Sequence, residues 1–223
     1  MSPRSALRHV AVSIVALAAA PGRAAPPHAT LSPGWSVEAE AQGDLNADGL
    51  DDAVVILSKD VDTPAKSKVL LRVYFGQRDG TYALAAENSK GLCAHCGGVL
   101  GEPVPYSVSV ERGVLHLEMS GGSRERWGLV TKWRFRRGAF FLIGVTADTF
   151  DSAAAVGDVE SIVRDANVST LKMEMTTKTV VSLGNDGDPV TRASTRSCAI
   201  APSYKALRLE ALGDRFSSPE CRP

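Results

Sequence analysis

The sequence predicts an all-β protein of antiparallel hairpins, a meander folded as a sandwich or partly closed barrel with little helix. Three observations carry this. Short apolar runs alternate with polar residues at period two, the pattern of strands with one buried face. Turns containing Gly or Asp-Gly separate the runs, in a chain with 20 glycines among 223 residues. Segments with the 3.6-residue apolar period of a helix are scarce.

The N-terminal stretch reads differently. Arg4 and Arg8 precede an apolar run from Val10 to Ala20, and Pro21-Gly22-Arg23-Ala24-Ala25 supplies small residues for cleavage. This is the pattern of a signal peptide over residues 1–24. The apolar run is roughly 11 residues, well short of the roughly 20 of a membrane-spanning helix, and no later stretch approaches that length. Residues 25–35, rich in proline, are expected to form a flexible mature N-terminus, and 36–223 a single β-rich domain. The expected location is periplasmic or extracellular. Loss of Arg4, Arg8 and Arg23 from a chain with 25 basic and 25 acidic side chains leaves a mature charge of about −3, which gives no reason to expect nucleic acid.

Ser36 to Ala41 is the first expected strand and leads into Gly43-Asp44-Leu45-Asn46-Ala47-Asp48-Gly49-Leu50-Asp51-Asp52. Asp44, Asn46 and Asp48 place side-chain oxygens at alternate positions, Gly49 permits a sharp turn, Leu50 offers its carbonyl, and Asp52 closes the set at position nine. Such an all-oxygen set suits a hard cation, and calcium is the expected ion. The competing reading is a solvated turn capped by its own Asp and Asn side chains. An EF-hand is excluded by Val55, which stands where its bidentate glutamate belongs.

Asp52 to Leu57 is nearly all apolar, as expected of a central strand buried on both faces. Ser58 to Lys68, with Pro64, is expected to be a loop. Val69 to Phe75 and Tyr82 to Ala86 then form a hairpin across Asp79-Gly80. A second hairpin joins Val108-Val110 to Leu115-Met119 across Arg112-Gly113, and a third joins Trp127-Phe135 to Phe140-Thr146 across Arg137-Gly138. Alternation in the third sets Thr131, Trp133 and Phe135 against Lys132, Arg134 and Arg136 on the opposite face. A short helix is expected around Val159, Ile162 and Val163. A fourth hairpin is expected from Leu171-Met175 to Val180-Leu183, turning at Thr176 to Lys178. Tyr204 to Leu212 is read as a short helix.

Cys93, Cys96, Cys198 and Cys221 form an even set in an exported chain, which favours disulfides, paired by proximity as Cys93 with Cys96 and Cys198 with Cys221. Cys93-Ala94-His95-Cys96 also admits thiol-redox chemistry or half of a zinc site. The redox motif requires a strand-to-helix setting, however, and zinc needs two further ligands.

The acidic loop and the strand after it, with Cys96-Gly97-Gly98, Gly121-Gly122-Ser123 before Trp127, and Phe140-Phe141-Leu142-Ile143-Gly144, resemble small exported bacterial proteins with one FG-GAP or VCBS-like repeat, as in integrin-type loops. The resemblance covers roughly residues 40–150. It implies export, a β-rich fold and calcium on Asp44, Asn46, Asp48, the Leu50 carbonyl and Asp52. Tandem copies are missing, so a full propeller is not expected.

These features favour an exported calcium-binding module that recognises a periplasmic or extracellular protein or glycan. The alternatives are a secreted hydrolase or carbohydrate-active enzyme, and a thiol-redox protein using Cys93 and Cys96. No catalytic constellation is visible: His116 lies between Leu115 and Leu117 with no serine motif to serve. The basic set of Lys132, Arg134 and Arg136, near Arg124, Arg126 and Arg137, is either an anion-binding face or a solvated strand surface. Trp127 and Trp133 fit a carbohydrate platform or core packing, and Asn167-Val168-Ser169 meets the N-glycosylation pattern.

Overall fold

A computed structural model of the chain describes residues 33–59, 67–98, 103–213, 216 and 218–222. The expected signal peptide, most of the flexible N-terminus and residues 60–66 of the Pro64 loop lie outside the described residues, while Ser58, Lys59 and Lys68, expected in that loop, belong to strands. Eleven strands follow one another: β1 (Ser36–Gly43), β2 (Asp52–Lys59), β3 (Lys68–Gly76), β4 (Tyr82–Asn88), β5 (Tyr106–Glu111), β6 (Val114–Gly122), β7 (Glu125–Arg136), β8 (Ala139–Asp151), β9 (Val159–Asn167), β10 (Lys172–Leu183) and β11 (Pro189–Ala199). They build two antiparallel meanders, a four-stranded sheet β1-β2-β3-β4 and a seven-stranded sheet running from β11 to β5. The predicted all-β class holds, with a sandwich arrangement and no closed barrel.

Local chemistry explains the hairpins. Arg112 and Gly113 have φ of 52° and 72°, and Arg137 and Gly138 have 53° and 79°. Positive φ at both central residues gives the two-residue turn whose twist matches that of its flanking strands. β2 is an inner strand, as its apolar run predicts: Val54 and Ile56 enter the main core, while Val55 and Leu57 join Leu70 and Trp35 on the other face.

The main core draws on both sheets. Val54, Ile56, Leu71 and Val73 of the smaller sheet belong to one cluster with Leu115, Leu117, Trp133, Phe140, Leu142 and Met173 of the larger. Full burial of each such side chain contributes about 1.5–3 kcal/mol. Phe75 lies edge-on to Phe135 at a centroid distance of 4.8 Å, and Phe135 lies 5.1 Å from Phe140, which ties β3 to the β7–β8 hairpin. Trp133 is buried core, and its Nε1 donates to Thr131 Oγ1 at 2.8 Å.

The C-terminal half corrects two expectations and refines a third. Val159–Asn167 is strand β9 and no helix, bonded to β8 on one side and β10 on the other. Ladders on both edges and the β-branched Val159, Ile162 and Val163 outweigh a weak helical spacing. Thr176 to Lys178 is no turn, because β10 runs straight through it and pairs with β11. The turn lies at Gly184–Asp188, where Gly184 N–H donates to Asp188 O at 2.8 Å. Tyr204 to Leu212 forms two short 3₁₀ turns, Pro202–Ala206 and Leu209–Ala211.

That C-terminal segment is part of the core. Leu209 and Leu212 are buried, and both their carbonyls accept from Asn88 Nδ2, at 2.7 and 2.9 Å. Asn88 Oδ1 accepts from Lys90 and Gly91 N–H, so this buried amide is fully partnered. A Cβ on Gly91 would meet Leu212 Cδ2 at 2.7 Å, which explains the glycine there. The Cys198–Cys221 disulfide, with Cα atoms 5.5 Å apart, closes the tail onto β11. Closing a loop of this length adds about 3 kcal/mol in the chain-entropy account.

Candidate functional site

The acidic loop connects β1 to β2. Its chain is left-handed at Ala47 (φ 64°) and Gly49 (φ 82°), the second being the sharp turn for which the sequence provides glycine. The two reversals wrap the backbone around Asp44. Asp44 Oδ1 accepts from Ala47 N–H at 2.7 Å and Asp48 N–H at 3.2 Å, and its Oδ2 accepts from Gly49 N–H at 2.9 Å. Asp48 Oδ1 accepts from Leu50 N–H at 2.9 Å, while Asn46 accepts from Asp48 N–H at 3.0 Å and donates to Asp48 Oδ2 at 2.9 Å.

Asp52 has a different setting. It is fully buried, and its carboxylate accepts from Leu45 N–H at 2.7 Å and from Gly76 N–H at 3.0 Å. It therefore joins the start of the loop to the end of β3. Burial pushes its pKa up, opposed by those N–H donors, and the nearby Asp48 charge raises it further. The sequence presents Asp52 as a loop ligand and gives no sign of this link to Gly76.

The donor chemistry of Asp44, Asn46, Asp48, the Leu50 carbonyl and Asp52 fits a hard cation: every donor is oxygen, and a carboxylate has about four lone-pair sites, so hydrogen bonding leaves some open. The fit is incomplete in its arrangement. Among the described residues, no group of three or more His, Cys, Asp or Glu side chains converges on one point. Beside the loop, Asp48, Leu50, Gly76, Gln77, Arg78 and Asp79 line an open cleft of about 470 Å³.

Cys93 and Cys96 do not form the expected bridge; both are free thiols, in contact with each other. Cys96 as a whole is exposed, yet partial desolvation of its thiol, with Cys93 beside it, pushes its pKa up to about 12. That is the reverse of the lowered pKa of a redox-active thiol. The loop bearing them folds over the sheet: Tyr106 Oη donates to Cys93 O, and Gly122 N–H donates to Gly97 O.

Lys132, Arg134 and Arg136 share the outer face of β7, opposite buried Thr131 and Trp133, as the alternation predicts, but the other arginines do not all join them. Arg124 and Arg137 flank opposite ends of β7, whose 12 residues span roughly 40 Å at strand rise. Arg124 is paired with Asp151 through two bonds of 2.9 Å, and Arg136 and Arg208 stack on the Phe141 ring at 5.0 and 5.5 Å. His116 is paired across the sheet with Ser109 and Lys132. Trp127 is half-buried and lines a cleft with Cys93 and Cys96. Among the described residues, no helix is long and apolar enough to cross a membrane. Comparison with protein-family models, curated proteins and solved structures found no match.

Proposed function

We propose that this chain is an exported β-sandwich binding module in which calcium, held by Asp44, Asn46, Asp48, the Leu50 carbonyl and Asp52, orders the β1–β2 connection. A periplasmic or extracellular protein or glycan is the proposed partner. The supporting observation is the path of the loop, whose left-handed Ala47 and Gly49 wrap its backbone around the Asp44 carboxylate and bring the Asn46 and Asp48 side chains into contact within a single turn. A divalent ion there would offset the repulsion of neighbouring carboxylates. Its role is structural, and no catalytic step is assigned to it.

A second reading has its own support: the backbone N–H groups already bound by Asp44 and Asp48 describe a loop that holds itself together. Calorimetric titration of chelator-treated protein separates the two. The calcium reading predicts saturable binding, with Kd on the order of 10⁻⁴ to 10⁻³ M, that Asp48→Asn weakens at least tenfold. The self-capped reading predicts no saturable heat in wild type or variant.

A further inference from the structure

Rows of cross-strand partners on the inner face of the larger sheet reveal a second feature, independent of the acidic loop. One row, Thr131–Val145–Ala166–Met173–Cys198, lies in the core, with its first four members nearly inaccessible. The adjacent row, one step outward on the same face, is Met119–Leu129–Ala147–Arg164–Met175–Arg196. It starts apolar and ends with two guanidinium groups. The next row, Trp127–Thr149–Ile162–Thr177–Ser194, holds no acid either.

Arg164 is half-buried, and among the described residues no hydrogen bond or ion pair engages its side chain. Its row neighbours are Ala147 and Met175, and beyond Met175 the Arg196 guanidinium lies 3.8 Å from the methionine sulfur. A guanidinium half-removed from water without a partner forgoes part of its hydration, and a planar anion answers that loss best because it takes two parallel N–H bonds.

Next to Arg164 is a cleft of about 260 Å³, lined also by Cys93, Met119, Trp127, Leu129 and Ala147. Asp148, the one acid in the lining, occupies a strand position of opposite parity to Ala147, opposite Gly128. The cleft thus combines an apolar wall, an indole and a single cation at one end. Apolar walls with a few placed polar groups are the usual composition of small-molecule sites, and this volume suits a body on the order of ten non-hydrogen atoms.

We propose that this cleft binds a small amphiphilic carboxylate, its chain against Met119, Trp127, Leu129 and Ala147 and its carboxylate on Arg164. The full chain, kept in EDTA so that the acidic loop plays no part, is titrated with sodium octanoate, 1-octanol and octylamine, followed by calorimetry and tryptophan fluorescence. Octanoate binds saturably at one site, and octanol and octylamine bind at least tenfold more weakly. Arg164→Gln lowers octanoate affinity at least tenfold with an unchanged melting temperature, whereas Arg164→Lys keeps most of the preference for octanoate over octanol. No saturable octanoate binding, equal binding of octanoate and octanol by wild type, or wild-type octanoate affinity in a folded Arg164→Gln protein overturns the proposal.

Discussion

Asp52 illustrates how one side chain can serve a fold more than its motif suggests. Both its oxygens hold backbone N–H groups, one in the loop and one at the end of β3, in a position inaccessible to water. Asp52→Ala strands both donors, and each buried unsatisfied group costs about 1–3 kcal/mol. Urea denaturation in EDTA should show a loss of about 2–5 kcal/mol; a loss below about 1 kcal/mol contradicts this role. Cys96 carries a prediction of opposite kind. With its pKa pushed up to about 12 from an ordinary 9.0, it remains a thiol at pH 8. Iodoacetamide should modify it at least tenfold more slowly than a free cysteine at that pH, with the rate still climbing past pH 10. A rate equal to that of free cysteine at pH 8 would restore the thiol-redox alternative.

At the level of elements, strands whose information is local were readable. The apolar run Ala53 to Leu57 and the Arg-Gly pairs at 112–113 and 137–138 specify an inner strand and two tight turns from adjacent residues alone. β9 and the middle of β10 were not readable because their state is decided by neighbours. Thr176 and Thr177 resemble a polar turn in isolation, yet they sit mid-strand because Val163 and Thr195 face Thr176 from either side. β11, all Thr, Ser, Arg and Ala apart from its ends, carries almost no apolar alternation and escaped the sequence pattern altogether. The least local case is Asn88, whose partners Leu209 and Leu212 are 121 and 124 residues away. Asn88→Ala should cost about 2–4 kcal/mol and expose the C-terminal segment to limited proteolysis ahead of the sheets. Cleavage of sheets and tail at the same rate would show that Asn88 does not hold that segment.

For the whole molecule, the two sheets and the C-terminal tail share one core to which β9–β11 contribute Ala166, Met173 and Cys198, while Val159, Val163, Val181, Leu183 and Val190 of the same strands are exposed. The acidic loop was legible as a motif because its oxygen spacing is local. The Arg164 cleft was not, because it arises only when four strands, β6 to β9, come into register beside the loop that carries Cys93. Calcium remains the claim on which the functional reading turns, and a thermal melt of chelator-treated protein with and without 10 mM calcium chloride tests it most directly. A Kd of about 10⁻⁴ to 10⁻³ M gives roughly 1.4–2.7 kcal/mol of stabilisation, hence a rise in Tm of about 3–10 °C that magnesium does not reproduce and Asp48→Asn abolishes. An unchanged Tm in wild-type protein would contradict the reading and leave the loop as a turn held by its own hydrogen bonds.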